Sequence, residues 1–233
     1  MTVAEDCARL GVNWHLCSDA DEQVQWLAGQ VADILQDAIA RNAVAHLAVS
    51  GGRSPEAFLR QLAGYELDWS AVRLTLVDER WVPPAHSDSN AGLVQRCLAE
   101  RWHSLQWLPL YRGDSPVADA RAAAAELASW GRLDAVVLGM GADGHTASLF
   151  PDLPDWPALC AASNPDYCVA LPATGSRQQR LSLTGRLLHS APRQLLALSG
   201  QAKLDTLQRA CDAPSALPVG AFLKPPLDIV YSP

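Results

Sequence analysis

Short apolar segments alternate with amphipathic helical patterns along most of this 233-residue chain. Runs that are typical of strands cover residues 44–49, 72–77, 104–110, 135–138, 180–184, 194–198 and 227–231. Apolar residues between 24 and 39 instead recur at helical spacing, which predicts a long amphipathic helix ending near Asn42. Strands and helices in this alternation favour a mostly parallel sheet with helices on both faces. We therefore predict an α/β fold and, since no linker or internal repeat is evident, one domain over residues 1–233.

Composition restricts how the chain can hold a ligand. Its net charge of −7 argues against bulk nucleic-acid binding, which needs a clustered positive field. The longest apolar runs, about six residues, are far shorter than a membrane span. The N-terminus has no basic-then-apolar leader, so we expect a cytoplasmic protein without a membrane partner. The six cysteines lack paired spacing, so we expect reduced thiols and no metal site.

A glycine-rich turn follows the strand predicted at residues 44–49. Its sequence, Ser50-Gly51-Gly52-Arg53-Ser54-Pro55, predicts a helix with Ser54 as the N-cap and Pro55 at the first helical position. Free backbone N–H groups at a helix N-terminus attract anions, and Arg53 adds a cation there. The turn is too short for the phosphate-binding loop of nucleotide hydrolases and lacks its lysine. Both a phosphate site and an ordinary strand-to-helix turn fit these residues.

Charged side chains follow two further predicted strands. Asp78, Glu79 and Arg80 come after residues 72–77, where a solvated turn fits as well as a site. Asp143 and His145 lie in a glycine-rich loop after residues 135–138. Lys203, at the start of the last predicted helix, is a fourth candidate. Because the carboxyl ends of parallel strands meet at one edge of a sheet, we expect these groups to converge there.

The loop after residues 135–138 also contains Gly139-x-Gly141-x-x-Gly144, the spacing of dinucleotide-binding motifs. Pro151 follows too soon for the full helix that such a motif opens, and the motif lies in the middle of the chain rather than in a first βαβ unit. We therefore expect no nicotinamide cofactor, and no cofactor of another kind is indicated.

Together these segments resemble the 6-phosphogluconolactonase family, which shares its fold with glucosamine-6-phosphate deaminases and is similar to ribose-5-phosphate isomerases. The resemblance lies in residues 50–55, 78–83, 89–90, 139–151, 180–184 and 200–203, and it runs in order through nearly the whole chain. It implies a modified Rossmann-like fold and hydrolysis of 6-phospho-D-glucono-1,5-lactone to 6-phosphogluconate in the oxidative pentose phosphate pathway. The substrate would be a small phosphorylated sugar lactone, and both a monomer and a dimer remain open.

The resemblance also suggests a role for each candidate residue. His145 would take a proton from the attacking water, with either Asp143 or Glu79 orienting its ring. The substrate-binding residues would be Gly51, Gly52, Arg53, Ser54, Asp78, Arg80, Arg180 and Lys203. Within this set the glycine turn, Arg53, Ser54, Arg180 and Lys203 would hold the phosphate. Whether Arg80 meets the phosphate, the hydroxyls or the oxyanion is left open.

Two other functions fit a chain of this kind. A deaminase or aldose–ketose isomerase on the same fold would use a carboxylate base, which Asp78 could supply. The deaminases typically have tyrosine where Arg80 stands, which favours the lactonase, and usually serine where Arg53 stands, which weakens any transfer of their phosphate contacts. A non-catalytic sugar-phosphate sensor is the second alternative, although no helix-turn-helix segment is evident.

Overall fold

Seven parallel strands form the central sheet of the computed structural model, which describes residues 2–233 except for the side chains of residues 53 and 54. In chain order the strands are β1 (Asn13–Leu16), β2 (Ala45–Val49), β3 (Val72–Leu76), β4 (Asp78–Arg80), β5 (Gln106–Trp107), β6 (Ala135–Leu138), β7 (Cys168–Leu171), β8 (Arg180–Leu183), β9 (Arg193–Ser199) and β10 (Leu227–Ser232). The central sheet has the order β1-β10-β9-β6-β2-β3-β5, and all of its pairs are parallel. A smaller antiparallel sheet has the order β4-β8-β7.

Helices pack on this central sheet. They are α1 (Val3–Arg9), α2 (Ala20–Asn42), α3 (Arg53–Ala63), α4 (Asn90–Cys97), α5 (Pro116–Trp130), α6 (Trp156–Leu159), α7 (Gly185–Leu188) and α8 (Gln201–Asp212). Helix α2 begins where the Asp19 carboxylate accepts a hydrogen bond from the backbone N–H of Glu22, and it ends at Ala43 in the left-handed conformation. Its buried face, which includes Leu27 and Leu35, packs against β2, β9 and β10. The predicted α/β class with a mostly parallel sheet is therefore confirmed.

Several element boundaries differ from those that the sequence predicts. Helix α3 begins at Arg53 with Gly52 at the cap position, so the prediction of Ser54 as N-cap is wrong. The strand expected at residues 104–110 shrinks to Gln106–Trp107, because only these residues pair with β3. Asp78–Arg80 forms strand β4 rather than a turn.

One edge of the central sheet gathers the loops that the sequence analysis singled out. Strand β2 leads into a turn of residues 50–52, called the glycine turn below, and β6 leads into residues 139–147, called the His145 loop. The Ser50 hydroxyl joins the two, since it donates to the carbonyl of Val137 (3.0 Å) and accepts from the N–H of Gly139 (3.0 Å). The two segments therefore leave the sheet side by side.

Among the described residues, none of the helices is long and apolar enough to span a lipid bilayer. The six cysteines are all buried and none forms a disulfide. Within residues 2–233 no cluster of three or more His, Cys, Asp or Glu side chains is placed to bind a metal ion.

Candidate active site

A cavity of about 220 Å³ opens where the carboxyl ends of β2, β6 and β9 meet. The candidate residues of the sequence analysis that line it are Gly51, Gly52, Asp78, Arg80, His145, Arg180 and Lys203. Further lining comes from Ser50, Asn90, Gly141 and, on helix α2, Gln23. The expected convergence of loops at this edge of the sheet is therefore present in the structure.

His145, which lines this cavity, forms a close pair with Asp143. The Nδ1 atom of His145 lies 2.5 Å from Oδ1 of Asp143, and the backbone N–H of His145 donates to the same oxygen at 3.2 Å. The side-chain hydrogen bond is the main cause that lowers the pKa of the Asp143 carboxyl below its usual range. An ionised carboxylate only accepts hydrogen bonds, so Nδ1 carries the shared hydrogen and Nε2 is the basic nitrogen of the neutral ring.

Two neighbours restrict how the His145 ring can move. The ring of Phe150 packs against it with the centroids 4.3 Å apart. The backbone of Gly141 also lies against the ring, since a Cβ at this position would lie 2.2 Å from both Cε1 and Nδ1 of His145 and 2.6 Å from Oδ1 of Asp143. Only glycine fits at residue 141 without displacing the pair.

Glu79 lies elsewhere in the structure and does not hold His145. Its carboxylate is fully buried and binds the start of helix α4, where it accepts from the N–H groups of Asn90 (2.8 Å) and Ala91 (2.7 Å) and from the Ser89 hydroxyl (3.1 Å). The N–H of Arg80 is a further donor at 2.8 Å. Of the two carboxylates that the sequence analysis left open as partners of His145, Asp143 is the one in contact.

Burial raises the pKa of the Glu79 carboxyl to about 7, although its backbone N–H donors oppose the shift. The folded chain therefore holds this proton more tightly than the unfolded chain, whose carboxyl has the ordinary value of 4.5. The stability that follows from this is fully present below pH 4.5 and is lost as the pH rises towards 7.

Glu79→Gln should remove this pH dependence, because the amide does not ionise. We expect the free energy of unfolding of the wild type, relative to that of the variant, to fall by up to about 3 kcal/mol across this range. Urea unfolding of both proteins below and above the range measures the difference. An identical pH dependence of the two proteins would contradict the assignment.

Three cations face the cavity. Arg180 lies with Nη1 3.7 Å from Oδ2 of Asp78, and that oxygen also accepts the Ser148 hydroxyl at 2.5 Å. Burial lowers the pKa values of both Arg180 and Lys203, as expected for cations that are withdrawn from water. In the described part of the chain, the buried Nε atoms of Arg80 and Arg180 have no hydrogen-bond partner. We call Arg80, Arg180 and Lys203 the basic wall; its positive charges suit an anionic ligand.

The glycine turn lies beside the basic wall and leads into the N-terminus of α3. Gly52 has φ = +105°, a conformation that favours glycine, and a Cβ there would meet no atom within 4 Å. Backbone N–H groups in the first turn of a helix have no partner within it and attract anions. The side chains of Arg53 and Ser54 fall outside the described residues, so their phosphate contacts stay a prediction.

Four residues of the cavity were not selected from the sequence. Gly141 was recognised only as part of a motif, and Ser50 only as part of a turn. Asn90 follows a serine at a helix start, a pattern that indicates capping rather than a site. Gln23 lies on the buried side of α2, where its side chain donates to the carbonyls of Leu198 and Val230. No sequence signal separates it from the packing residues of that helix.

Comparison with known proteins gives matches over nearly the whole chain. A family model described as glucosamine-6-phosphate isomerases/6-phosphogluconolactonase matches residues 18–229. The chain is 42% identical over 242 aligned residues to a 6-phosphogluconolactonase from Pseudomonas aeruginosa, with 100% of both chains covered. It is 37% identical to a 6-phosphogluconolactonase from Rhizobium meliloti, with 96% of this chain and 100% of the relative covered.

Solved structures give the same result. A 6-phosphogluconolactonase from Shewanella baltica superposes with a TM-score of 0.88 at 33% identity, over 95% of this chain and 98% of that one. A monomeric glucosamine-6-phosphate deaminase superposes with a TM-score of 0.76 at 18% identity, over 95% of this chain and 96% of that one, which shows a shared fold alone. The resemblance inferred from the motifs is therefore confirmed.

Proposed function

Because the chain belongs to the family of glucosamine-6-phosphate isomerases and 6-phosphogluconolactonases, we propose that it hydrolyses 6-phospho-D-glucono-1,5-lactone to 6-phosphogluconate in the oxidative pentose phosphate pathway. Its full-length relatives at 37–42% identity are named for this activity. The observation that carries the proposal is that His145, paired with Asp143, lines one cavity with the basic wall and the glycine turn. A base and an anion site are the two features that hydrolysis of a phosphorylated lactone requires.

In the proposed mechanism, Nε2 of His145 takes a proton from a water molecule as the water oxygen attacks the lactone carbonyl. Asp143 accepts the Nδ1–H, orients the ring and stabilises the imidazolium that forms. The bond between the carbonyl carbon and the ring oxygen then breaks, and the imidazolium returns its proton to that oxygen. The products are the open-chain acid and neutral His145, ready for another cycle.

The charge that develops on the carbonyl oxygen needs a positive partner in a site that excludes water. Arg80 and Arg180 line the same cavity as His145, and their guanidinium groups supply positive charge there. Donors that are already in place when the charge forms stabilise a transition state without a reorganisation cost. We assign oxyanion stabilisation to these two arginines of the basic wall. Asp78, held by Ser148 and Arg180, is left to accept hydrogen bonds from sugar hydroxyls.

The phosphate of the substrate would lie on the glycine turn at the N-terminus of α3, with Lys203 as a cationic partner. Lys203 is half-buried at the start of α8 and lines the same cavity. Arg53 and Ser54, which follow the turn, are proposed as further partners. A helix N-terminus and a buried cation together bind a phosphate more tightly than either alone, since both act on the same charge.

Lys203→Ala should therefore weaken binding rather than chemistry. Loss of one charge-assisted hydrogen bond, worth about 1.5–3 kcal/mol, predicts a rise in KM of about 10- to 100-fold for the phosphorylated lactone. Steady-state kinetics on this lactone and on unphosphorylated gluconolactone separate the two effects. Lys224→Ala, which changes an exposed lysine, is the matched control. An equal rise in KM for both lactones would contradict a contact between Lys203 and the phosphate.

The proposed function is tested by assay of the purified protein on fresh 6-phosphogluconolactone and on glucosamine 6-phosphate, with spontaneous hydrolysis subtracted. We expect turnover of the lactone. Activity on the amino sugar alone would overturn the proposal and would favour a deaminase with Asp78 as its base. Binding of sugar phosphates without turnover of either compound would overturn it as well and would favour a sensor.

We also place this reaction in the cytoplasm. Six buried cysteines without a disulfide suit a reducing compartment.

A further inference from the structure

Asn90 contacts two segments that line the cavity, strand β4 and the glycine turn. It is the first residue of α4 and is 4% exposed. Its Nδ2 atom donates to the backbone carbonyl of Asp78 at 2.9 Å, which joins it to β4. The rest of the amide packs on the glycine turn, where a Cβ built on Gly51 would lie 2.0 Å from Oδ1 and 2.1 Å from Cγ of Asn90. The turn and this side chain are thus in direct contact.

Glu79 fixes the backbone of Asn90. Its Oε1 atom accepts from the N–H of Asn90 at 2.8 Å, and its Oε2 atom accepts from the N–H of Ala91 at 2.7 Å. These are the first two N–H groups of α4, which have no partner within the helix. A buried carboxylate with donors on both oxygens cannot shift without leaving hydrogen bonds unmade, so it locks the start of the helix in one position.

Ser50 holds the other end of the glycine turn, since its backbone N–H and its hydroxyl both donate to the carbonyl of Val137. A Cβ on Gly52 would meet no atom within 4 Å, so of the two glycines only Gly51 packs against a side chain at its Cβ position, that of Asn90. Glycines have the largest conformational freedom to lose, and a turn with two of them needs outside contacts to keep its N–H groups in one orientation.

We propose that Asn90 is a positioning residue for the phosphate group, and that Glu79 acts through Asn90. The amide packs against Gly51, so that the turn and the N-terminus of α3 present their N–H groups in the orientation that a phosphate needs. The inference rests on the proposed role of the glycine turn in phosphate binding. In this proposal Glu79 takes part in binding the substrate, whereas the family resemblance suggests a part for it in the chemical step.

A purely structural role for Asn90 is separable from this one. The cap of α4 is Ser89, whose hydroxyl accepts the N–H of Gly92 at 3.1 Å, and it does not involve the Asn90 side chain. Asn90→Ala therefore leaves the cap in place while it removes the amide. We expect a folded variant whose defect is in phosphate binding.

The test measures binding directly, by calorimetric titration of 6-phosphogluconate and of unphosphorylated gluconate into wild type and Asn90→Ala. We expect the Kd for 6-phosphogluconate to rise about 10-fold, a change equivalent to the net free energy of about one hydrogen bond. The affinity for gluconate should change much less. Asn42→Ala, at the exposed end of α2, is the matched control. An unchanged Kd for 6-phosphogluconate in Asn90→Ala would overturn the proposal.

A double-mutant cycle tests the contact itself. Gly51→Ala in the wild-type background should raise the Kd for 6-phosphogluconate at least 10-fold, because the new methyl group overlaps the Asn90 side chain. In the Asn90→Gly background the same change should cost little, since the atoms that it meets are gone. Equal effects in both backgrounds would overturn the proposal. Asn90→Ser replaces Asn90→Ala if the alanine variant does not fold.

Failure of this inference and failure of the proposed function give different results. If the protein binds 6-phosphogluconate but does not hydrolyse the lactone, the proposed function falls while the titrations still test Asn90. If the lactone is hydrolysed and Asn90→Ala binds 6-phosphogluconate as tightly as wild type, only the proposed role of Asn90 is refuted.

Discussion

Replacing His145 with alanine is expected to lower kcat on 6-phosphogluconolactone by about 10²- to 10⁴-fold, the range typical for loss of a general base. In the proposed mechanism Nε2 of His145 is the base, because Nδ1 is engaged by Asp143 at 2.5 Å. The basic wall and the glycine turn are untouched by the change, so KM should stay within a few-fold of the wild-type value. Steady-state kinetics, with the spontaneous hydrolysis of the lactone subtracted, measure both constants.

His103→Ala is the matched control for this experiment, because it removes an exposed imidazole from a turn that does not line the cavity. It should leave both constants unchanged. Wild-type turnover in His145→Ala would remove this residue from the mechanism. A large rise in KM with unchanged kcat would instead make His145 a binding residue.

Gly141→Ala is expected to produce the second largest effect, a loss of kcat of about 100-fold. The added methyl group would lie 2.2 Å from two atoms of the His145 ring and 2.6 Å from Oδ1 of Asp143, so the pair cannot keep its present geometry. A displacement of about 1 Å in a catalytic group can cost about 10²-fold in rate. The same kinetic assay measures the loss, and thermal unfolding shows whether the variant is folded.

The reason for this loss can be tested separately. In the His145→Ala background, Gly141→Ala should cost little further activity, because the ring with which it collides is absent. Gly139→Ala provides a comparison within the same loop, since a Cβ there would lie 3.9 Å from its nearest neighbour, the Ser50 hydroxyl. We expect it to reduce kcat by only a few-fold. Equal losses at positions 139 and 141 would argue against a specific collision with His145.

The sequence predicted six of the seven strands of the central sheet, all but β1, and the meeting of the loops that follow them. Apolar runs such as residues 135–138 are local signals, and parallel strands bring their carboxyl ends to one edge whatever the details of packing. The pairing of His145 with Asp143 is also local, because a side chain two residues away in a glycine-rich turn is within reach of the ring. A single domain over residues 1–233 stays a prediction.

The parts that the sequence did not predict depend on contacts between distant residues. Strand β4 exists because Asp78 and Glu79 pair with Ser182 and Leu181, about a hundred positions away, and no pattern in a three-residue segment indicates such pairing. A glutamate at position 79 fits a solvated turn, a catalytic site and a buried hydrogen-bond acceptor equally well. Only the position of α4 shows that its carboxylate binds the backbone of that helix.

The Ser50 hydroxyl, which joins the carbonyl of Val137 to the N–H of Gly139, also couples the two parts of the candidate site. It ties the segment that bears the glycines of the turn to the segment that bears His145, and both continue directly from adjacent strands about 4.8 Å apart. In a sheet this separation is one of the least adjustable lengths of a protein. A substitution that removes the Ser50 hydroxyl would therefore disturb the anion site and the base together.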